Sequence, residues 1–150
     1  MAWTMTKKRV GEPFMPADEY GRSLPAFTLN LLVADIARSI AFYRDVLGAE
    51  VRYSDADFAA LRLGELDFML HADHTYHGHP WAGRLGRERR RGLGAELRLF
   101  EVDPDAAVLR ARESGAAVLL PATDKPHGWR EAWLEDPDGY VWAVGVAIGG

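Results

Sequence analysis

The sequence predicts an α+β fold in which one strand–helix–three-strand (βαβββ) module occurs twice. Apolar residues alternate with polar ones, as in a strand, or recur at helical spacing, and these two patterns follow one another in the same order in both halves of the chain. In each half an Asp precedes the helix and a Gly ends it, so that residues 35–51 align with residues 103–118. A module with one sheet and one helix leaves a sheet face uncovered. We therefore expect the two concave sheets to pair, within the chain or across a dimer, and to form a cleft.

Composition excludes several classes of function. The 150 residues carry a net charge of −4 and include no Cys, so disulfides, zinc–thiolate sites, iron–sulfur clusters and thiol nucleophiles are ruled out. A mildly acidic chain is a poor general ligand for nucleic acid, and no apolar run reaches the roughly 20 residues that span a membrane. No secretion signal is legible at the N-terminus. We expect a cytoplasmic protein that binds neither nucleic acid nor membrane.

The first 24 residues form a separate segment, which we call the arm. The arm lacks a regular hydrophobic period and contains several Pro and Gly residues, which is typical of a partly ordered tail. Its Trp3, Phe14, Met15 and Tyr20 are apolar enough to lie on the body of the protein. The rest, residues 25–150, reads as one domain: module one at 26–72, a polar linker at 73–93 and module two at 94–148.

Module one begins with an alternating strand at 27–33. Asp35 is a predicted N-cap, and Gly48 supplies the left-handed residue that ends the helix. Strands are predicted at 50–53, 58–63 and 66–71, the last two joined by a turn at Gly64.

Module two repeats this order from a strand at 96–100. Asp103 is the second N-cap, with Pro104 at the first helical position, and the helix ends at Gly115. Strands are predicted at 117–120, 130–134 and 140–146. The last two are joined by Asp-Pro-Asp-Gly at 136–139, a strong turn sequence.

Two segments resemble a known family. Residues 31–48 (LLVADIARSIAFYRDVLG) and the pair 128–132 (GWREA) and 135–140 (EDPDGY) are similar to the opening and closing motifs of the vicinal oxygen chelate superfamily. That superfamily includes glyoxalase I, extradiol dioxygenases, fosfomycin-resistance enzymes and bleomycin-resistance binding proteins. The resemblance covers about residues 26–147. It implies the glyoxalase/bleomycin-resistance-like fold of paired βαβββ modules, usually dimeric or domain-swapped, so we expect a homodimer.

The resemblance also implies four places for ligands to a divalent metal. Carried over by strand position, they fall on Thr28, Met69, Glu96 and Ala143. Only Glu96 offers the carboxylate or imidazole donor that such an ion requires. We therefore expect no metal and no other cofactor, as in the bleomycin-resistance-like branch, which keeps the fold without the metal.

Strand alternation places a small polar set beside Met69 on the cleft face. This set comprises Thr28, Asn30, His71, Glu96 and Arg98. His71 is either a buried, hydrogen-bonded side chain or a catalytic base. Arg98 and Glu96 form either an internal ion pair or a clamp for the ligand.

The linker and its neighbours are rich in aromatic residues. His71, His74, His77 and His79 cluster near Asp73 and Tyr76, which indicates either a metal or proton-transfer site or a solvated loop over the cleft. Trp81 and Trp129 are predicted in loops, where they would wall a ligand, whereas Trp142 is predicted to face the helix. An arginine-rich run at 84–91 is interpreted as a solvated linker.

Together these patterns predict a metal-independent protein that sequesters an aromatic or amphipathic small molecule, such as an antibiotic. The predicted ligand-binding residues are Thr28, Asn30, Met69, His71, Tyr76, Trp81, Glu96, Arg98 and Trp129. The alternative is a glyoxalase-like lyase or dioxygenase with displaced ligands, for which His71 and Glu96 are the first metal candidates. A third reading is an interaction domain whose cleft is filled by its own side chains or by the arm.

Overall fold

The computed structural model describes residues 6–85 and 90–149 and divides into two compact units. Unit 1 comprises residues 1–40 and 48–87, and unit 2 comprises residues 41–47 and 88–150. Two predicted features, Trp3 and residues 86–89 of the arginine-rich run, lie outside the described residues.

The secondary structure follows the predicted order. The elements are α1 (Ala17–Ser23), β1 (Asn30–Val33), α2 (Ile36–Asp45), β2 (Glu50–Ser54), β3 (Phe58–Leu63), β4 (Leu66–Ala72), β5 (Glu96–Phe100), α3 (Pro104–Ser114), β6 (Ala117–Asp124), β7 (Trp129–Glu135) and β8 (Val141–Ala147). Short 3₁₀ turns occur at Asp73–Tyr76 and Ala82–Arg84. None of the described helices is long and apolar enough to cross a membrane.

Each unit contains one four-stranded mixed sheet. The strand order is β1-β4-β3-β2 in unit 1 and β5-β8-β7-β6 in unit 2. The first two strands of each order are parallel, and the others pair antiparallel. This repeated arrangement confirms the predicted α+β fold with two βαβββ modules.

The predicted helix boundaries are confirmed by their caps. The Asp35 carboxylate accepts the backbone N–H of Arg38 at 2.9 Å at the start of α2. The Asp103 carboxylate accepts two backbone N–H groups at the start of α3, directly before Pro104. Gly115 ends α3 with φ 76°, a conformation that a residue with a Cβ adopts only with strain.

Strand alternation gives each sheet a buried face and an open face. In the first sheet Leu31 and Leu70 pair on the buried face, while Asn30 and Met69 pair on the open face. In unit 2 the buried face holds Trp142, which is 2% exposed and packs edge-on against Tyr43 of α2. Trp142 therefore faces the helix, as predicted.

Three local predictions are wrong. The arm contains α1, a helix that its sequence did not predict. The first strand begins at Asn30 rather than at 27, because pairing with β4 starts at Asn30 and the 73%-exposed Phe27 gains no burial from a longer strand. Trp129 lies at the start of β7 rather than in a loop, since it pairs with Ala147 and stacks on Phe100.

Candidate functional site

A cavity of about 530 Å³ lies in unit 1 between the arm and the open face of the first sheet. The arm contributes Phe14 and Tyr20 to its wall, and the sheet contributes residues of β2, β3 and β4: Tyr53, Phe58, Met69 and His71. We call it the arm cavity. Most of its surface is apolar, and its polar lining residues are Lys7, Arg9, Asp55, Asp57 and His71.

Aromatic contacts fix the arm on the sheet. The Phe14 ring stacks on Tyr53 with centroids 5.3 Å apart and an angle of 17° between the planes. The Tyr20 ring meets Phe58 edge-on at 5.3 Å. Such pairs add about 0.5–1.5 kcal/mol each beyond the area they bury, which explains why a segment with few helix signals is ordered here.

The Asp57 side chain anchors the arm to the sheet by accepting hydrogen bonds from the backbone of the arm. This carboxylate is only 1% exposed and accepts the backbone N–H groups of Lys8 at 2.7 Å and Arg9 at 3.1 Å. The Nε2 atom of His74 lies 2.7 Å from the same carboxylate. Burial raises the pKa of Asp57, but the hydrogen bonds from His74, Lys8 and Arg9 outweigh it and hold this pKa below its usual value. Asp57 is therefore an ionised, fully engaged anchor at neutral pH.

A second carboxylate shapes the turn before β3. Asp55 accepts the backbone N–H groups of Asp57 and Phe58 through Oδ1, at 2.7 and 2.9 Å. Its Oδ2 accepts the hydroxyl of Tyr53 at 2.6 Å. Asp55 thus fixes both the carboxylate that holds the arm and two aromatic walls of the cavity.

Three predicted site residues form one hydrogen-bonded chain. The Asn30 amide donates to the Tyr76 hydroxyl at 2.5 Å, and its carbonyl oxygen lies 2.7 Å from Nδ1 of His71. With Nδ1–H as the donor to Asn30, the lone pair of His71 is on Nε2, which has no hydrogen-bond partner among the described residues. Burial, and then the nearby Lys7 charge, lower the pKa of His71 to about 4. His71 is therefore neutral at physiological pH.

Further aromatic rings continue from this chain toward Trp81. Tyr76 lies 5.3 Å from the ring of His79, which in turn meets Trp81 edge-on at 4.5 Å. Trp81 is 51% exposed. Thr28, by contrast, donates its hydroxyl to the backbone carbonyl of Asp67 at 2.5 Å, so this predicted site residue is engaged with the sheet edge.

Unit 2 holds the remaining predicted residues. Arg98 donates to the carboxylates of Glu96 at 2.5 Å and Glu131 at 2.6 Å, so the internal ion pair is the arrangement observed. Trp129 stacks on Phe100 with ring centroids 4.3 Å apart. The structure thus brings Asn30, Met69, His71, Tyr76 and Trp81 into unit 1, and Glu96, Arg98 and Trp129 into unit 2.

Glu131 is a buried carboxylate that sequence reasoning missed. It is 3% exposed and also accepts Nε1–H of Trp133 at 3.2 Å. Burial raises the pKa of Glu131, but hydrogen bonds from Arg98 and Trp133 hold this pKa below its usual value.

Gly145, which pairs with Glu131 in the sheet, marks a close approach of β8 to β7. A Cβ at this position would lie 2.6 Å from the Arg130 carbonyl oxygen and 3.0 Å from Glu131 Cβ. A glycine in a predicted strand was the one available signal of this close approach.

The residues at the four metal-ligand places do not fit a divalent metal. Thr28 is a hydrogen-bonded hydroxyl, Met69 is a thioether, Ala143 has no donor atom, and Glu96 is paired with Arg98. Over residues 6–85 and 90–149, no group of three or more His, Cys, Asp or Glu side chains is arranged to hold a metal ion. The chemistry of the donors therefore disagrees with the ligand set that the resemblance implies.

Comparison with known families gives one family match. A sequence model described as the Glyoxalase/Bleomycin resistance protein/Dioxygenase superfamily matches residues 26–144, which is most of the chain. No curated protein sequence matches.

Several solved structures have a similar fold, and this chain matches nearly the whole length of each. A glyoxalase/bleomycin resistance protein/dioxygenase family enzyme from Burkholderia phytofirmans PsJN is 21% identical with a TM-score of 0.66, over 81% of this chain and 97% of that one. A glyoxalase/bleomycin resistance protein/dioxygenase from Nocardioides is 22% identical with a TM-score of 0.65, over 89% and 93%. A protein of unknown function from Agrobacterium tumefaciens strain C58 is 25% identical with a TM-score of 0.65, over 84% and 96%.

Proposed function

The chain belongs to the glyoxalase/bleomycin resistance protein/dioxygenase superfamily, and we propose that within it this protein is a metal-independent binding protein of the bleomycin-resistance-like branch. It sequesters an aromatic or amphipathic small molecule, such as an antibiotic, in the arm cavity. In that role it would confer resistance by lowering the free concentration of the compound.

The arm cavity is the single observation that carries this proposal. Its volume of about 530 Å³ falls within the roughly 300–1,000 Å³ that is typical of small-molecule pockets. Its walls include the aromatic rings of Phe14, Tyr20, Tyr53 and Phe58. Among its few polar groups, His71 is positioned by Asn30, and the Tyr53 hydroxyl is fixed by Asp55. Aromatic walls with a few convergent polar groups are what binding and orienting a flat ligand requires.

His71 acts in this proposal as a hydrogen-bond acceptor. A general base works best when its pKa lies near the operating pH, and the pKa of His71 is about 4. Its bare Nε2 can still accept a hydroxyl or N–H of the ligand. The side chains at the four metal-ligand places do not suit a divalent ion that would act as a Lewis acid, so binding rather than turnover is the activity that these groups support.

A thermal-shift screen of aromatic compounds and antibiotics tests the proposal. A compound present at 100 times its Kd stabilises the folded protein by about 2.7 kcal/mol, which is readily measured as a rise in Tm. Phe58→Ala, which removes a cavity wall, should weaken the binding of each hit at least about tenfold, or about 1.4 kcal/mol. The matched control is Phe27→Ala, because Phe27 is exposed outside the cavity. A broad panel without a single hit would contradict the proposal.

Elemental analysis discriminates the enzyme alternative, in which His71 and Glu96 would hold a metal. Protein purified without added metal should contain far less than one zinc, nickel, iron or manganese ion per chain. A content near one per chain that survives dialysis would favour the lyase or dioxygenase.

We also propose that the protein is a homodimer in the cytoplasm. The family resemblance supports the dimer, and the sequence features described above support the location. Sedimentation equilibrium should give twice the mass of one chain, and cell fractionation should recover the protein in the soluble cytoplasmic fraction. A single-chain mass at micromolar concentration would contradict the dimer.

A further inference from the structure

We infer that the compound bound in the arm cavity is an uncharged aromatic molecule that carries a hydrogen-bond donor, an O–H or N–H group on its ring system. The donor pairs with Nε2 of His71, and the ring packs on the aromatic wall beside it. His71 is therefore the residue that determines specificity, and Asn30 and Tyr76 are positioning residues that act through it. This inference rests on the proposed function, because it names the ligand class of the same cavity.

The Nε2 atom of His71 is an accessible acceptor at the cavity wall. The described lining of the cavity includes His71 but not Asn30, to which Nδ1 of the ring is bonded. Nε2 has no hydrogen-bond partner among the described residues, and it is not one of their buried unpaired atoms, so it is open to solvent. A ligand in the cavity can therefore reach this nitrogen.

A chain of hydrogen bonds sets the tautomer of the ring. The Asn30 amide nitrogen donates to the Tyr76 hydroxyl at 2.5 Å, which leaves the amide oxygen facing Nδ1 of His71 at 2.7 Å. Because that oxygen can only accept, the ring proton is on Nδ1 and the lone pair is on Nε2. Burial, and then the Lys7 charge, lower the pKa of His71 to about 4, so the ring takes up no second proton at physiological pH. Nε2 is thus a fixed acceptor rather than a donor.

The charged side chains that line the cavity balance one another. Lys7 and Arg9 contribute two positive charges. Asp55 and Asp57 contribute two negative ones. The Arg9 guanidinium lies 3.9 Å from the Asp57 carboxylate, and the oxygens of Asp55 accept the Tyr53 hydroxyl and the backbone of the turn. The lining thus has no net charge that would repay the cost of removing an ion from water, which favours an uncharged ligand.

The acceptor lies beside the aromatic wall. The centroid of the His71 ring is 5.1 Å from that of Phe58, and Tyr20 meets Phe58 edge-on at 5.3 Å. A donor attached directly to an aromatic ring can therefore reach Nε2 while the ring packs on the wall. A molecule of the same shape without a donor would cover Nε2 and leave it unpaired, which is unfavourable. This difference predicts a preference for the donor.

Three bicyclic probes of nearly equal shape test the inference on the full chain. Indole carries an N–H donor, benzofuran has an acceptor oxygen in its place, and indene has neither. Isothermal titration calorimetry should show that indole binds at least about tenfold more tightly than each of the others, a difference of about 1.4 kcal/mol. Nitrogen NMR of the ligand-free protein should show the ring proton of His71 on Nδ1.

Two variants assign the preference to His71. His71→Phe removes the acceptor and keeps a ring, so it should bind indole and indene with equal affinity. Asn30→Ala removes the partner of Nδ1 at an exposed position and lets the ring proton move to Nε2. In this variant the preference for indole should fall, while the affinity for indene stays the same. His77→Phe is the matched control, because His77 is exposed and is not part of the described lining.

A purely structural role would not produce this pattern, because indole and indene share a shape and a general loss of packing would weaken both alike. Equal affinities of the wild type for the three probes, tighter binding of benzofuran than of indole, a ring proton on Nε2, or an unchanged preference in both variants would overturn the inference and leave the proposed function standing. If none of the probes binds, the inference is overturned as well, and the antibiotic panel separately decides the proposed function.

Discussion

Asp57→Asn should release the arm from the first sheet. The substitution removes the negative charge from a carboxylate that accepts two backbone N–H groups and lies within hydrogen-bond distance of His74. Hydrogen bonds to charged groups contribute about 1.5–3 kcal/mol each, and Asn keeps one acceptor oxygen. A net loss of about 2–4 kcal/mol in the free energy of unfolding follows, since part of each bond survives.

Two measurements check this prediction. Urea denaturation gives the free energy of unfolding, and hydrogen exchange gives the protection of the backbone amides of Lys8 and Arg9. Both should fall in Asp57→Asn, and the affinity for any ligand of the arm cavity should fall with them. The matched control is Asp18→Asn, because Asp18 is an exposed carboxylate of the arm whose ion pair with Arg22 is solvated.

The pH dependence of the same anchor has a defined sign. The pKa of Asp57 is lower in the folded protein than in the unfolded chain. The ionised carboxylate therefore contributes its full stabilisation above the unfolded pKa of about 3.9, and this contribution is lost as the pH falls through the folded pKa. Asp57→Asn should therefore show a shallower loss of stability in acid than the wild type. An unfolding free energy within about 0.5 kcal/mol of the wild type, with unchanged exchange at Lys8 and Arg9, would refute the anchoring role.

Two further predictions concern unit 2. Burial raises the pKa of Asp136 to about 6, above its unfolded value, so its stabilising contribution is present at low pH and is lost as the pH rises through 6. Lowering the pH from 7 to 5 should therefore stabilise the wild type by about 1 kcal/mol relative to Asp136→Asn, measured by urea denaturation, and an identical pH profile would contradict this. Gly145→Ala should lower the free energy of unfolding by about 1–3 kcal/mol, because its Cβ would clash with the backbone of β7. Gly21→Ala, whose Cβ meets no atom within 4 Å, should be neutral or slightly stabilising in the same assay, and equal effects of the two substitutions would refute the packing argument.

Local sequence signals were sufficient for most of the fold. Asp35 and Asp103 cap their helices by bonds that span only two or three residues, so they are legible without tertiary structure. The alternation around Trp142 likewise placed it on the buried face. Trp129 was predicted in a loop because the predicted strand began at Arg130, whereas pairing with Ala147 extends the strand to Trp129.

The arm cavity could not be predicted, because it depends on contacts between distant residues. Asp57 and Lys8 are 49 residues apart, and nothing near either residue indicates the other. Helix α1 has no buried residue and no side-chain N-cap, so it lacks both of the patterns that identify a helix. Parity grouped Asn30, Met69 and His71 on one face, and the apolar residues of the arm indicated that it lies on the body of the protein, but the face that it covers came only from the structure.

The most direct test of metal-independent binding is the Kd of the tightest compound from the panel, measured by isothermal titration calorimetry before and after exhaustive treatment with EDTA. We expect the same Kd in both samples, because the arm cavity binds its ligand through aromatic walls and hydrogen bonds from its own side chains. Loss of binding after chelation, with recovery on adding back a divalent ion, would contradict the account.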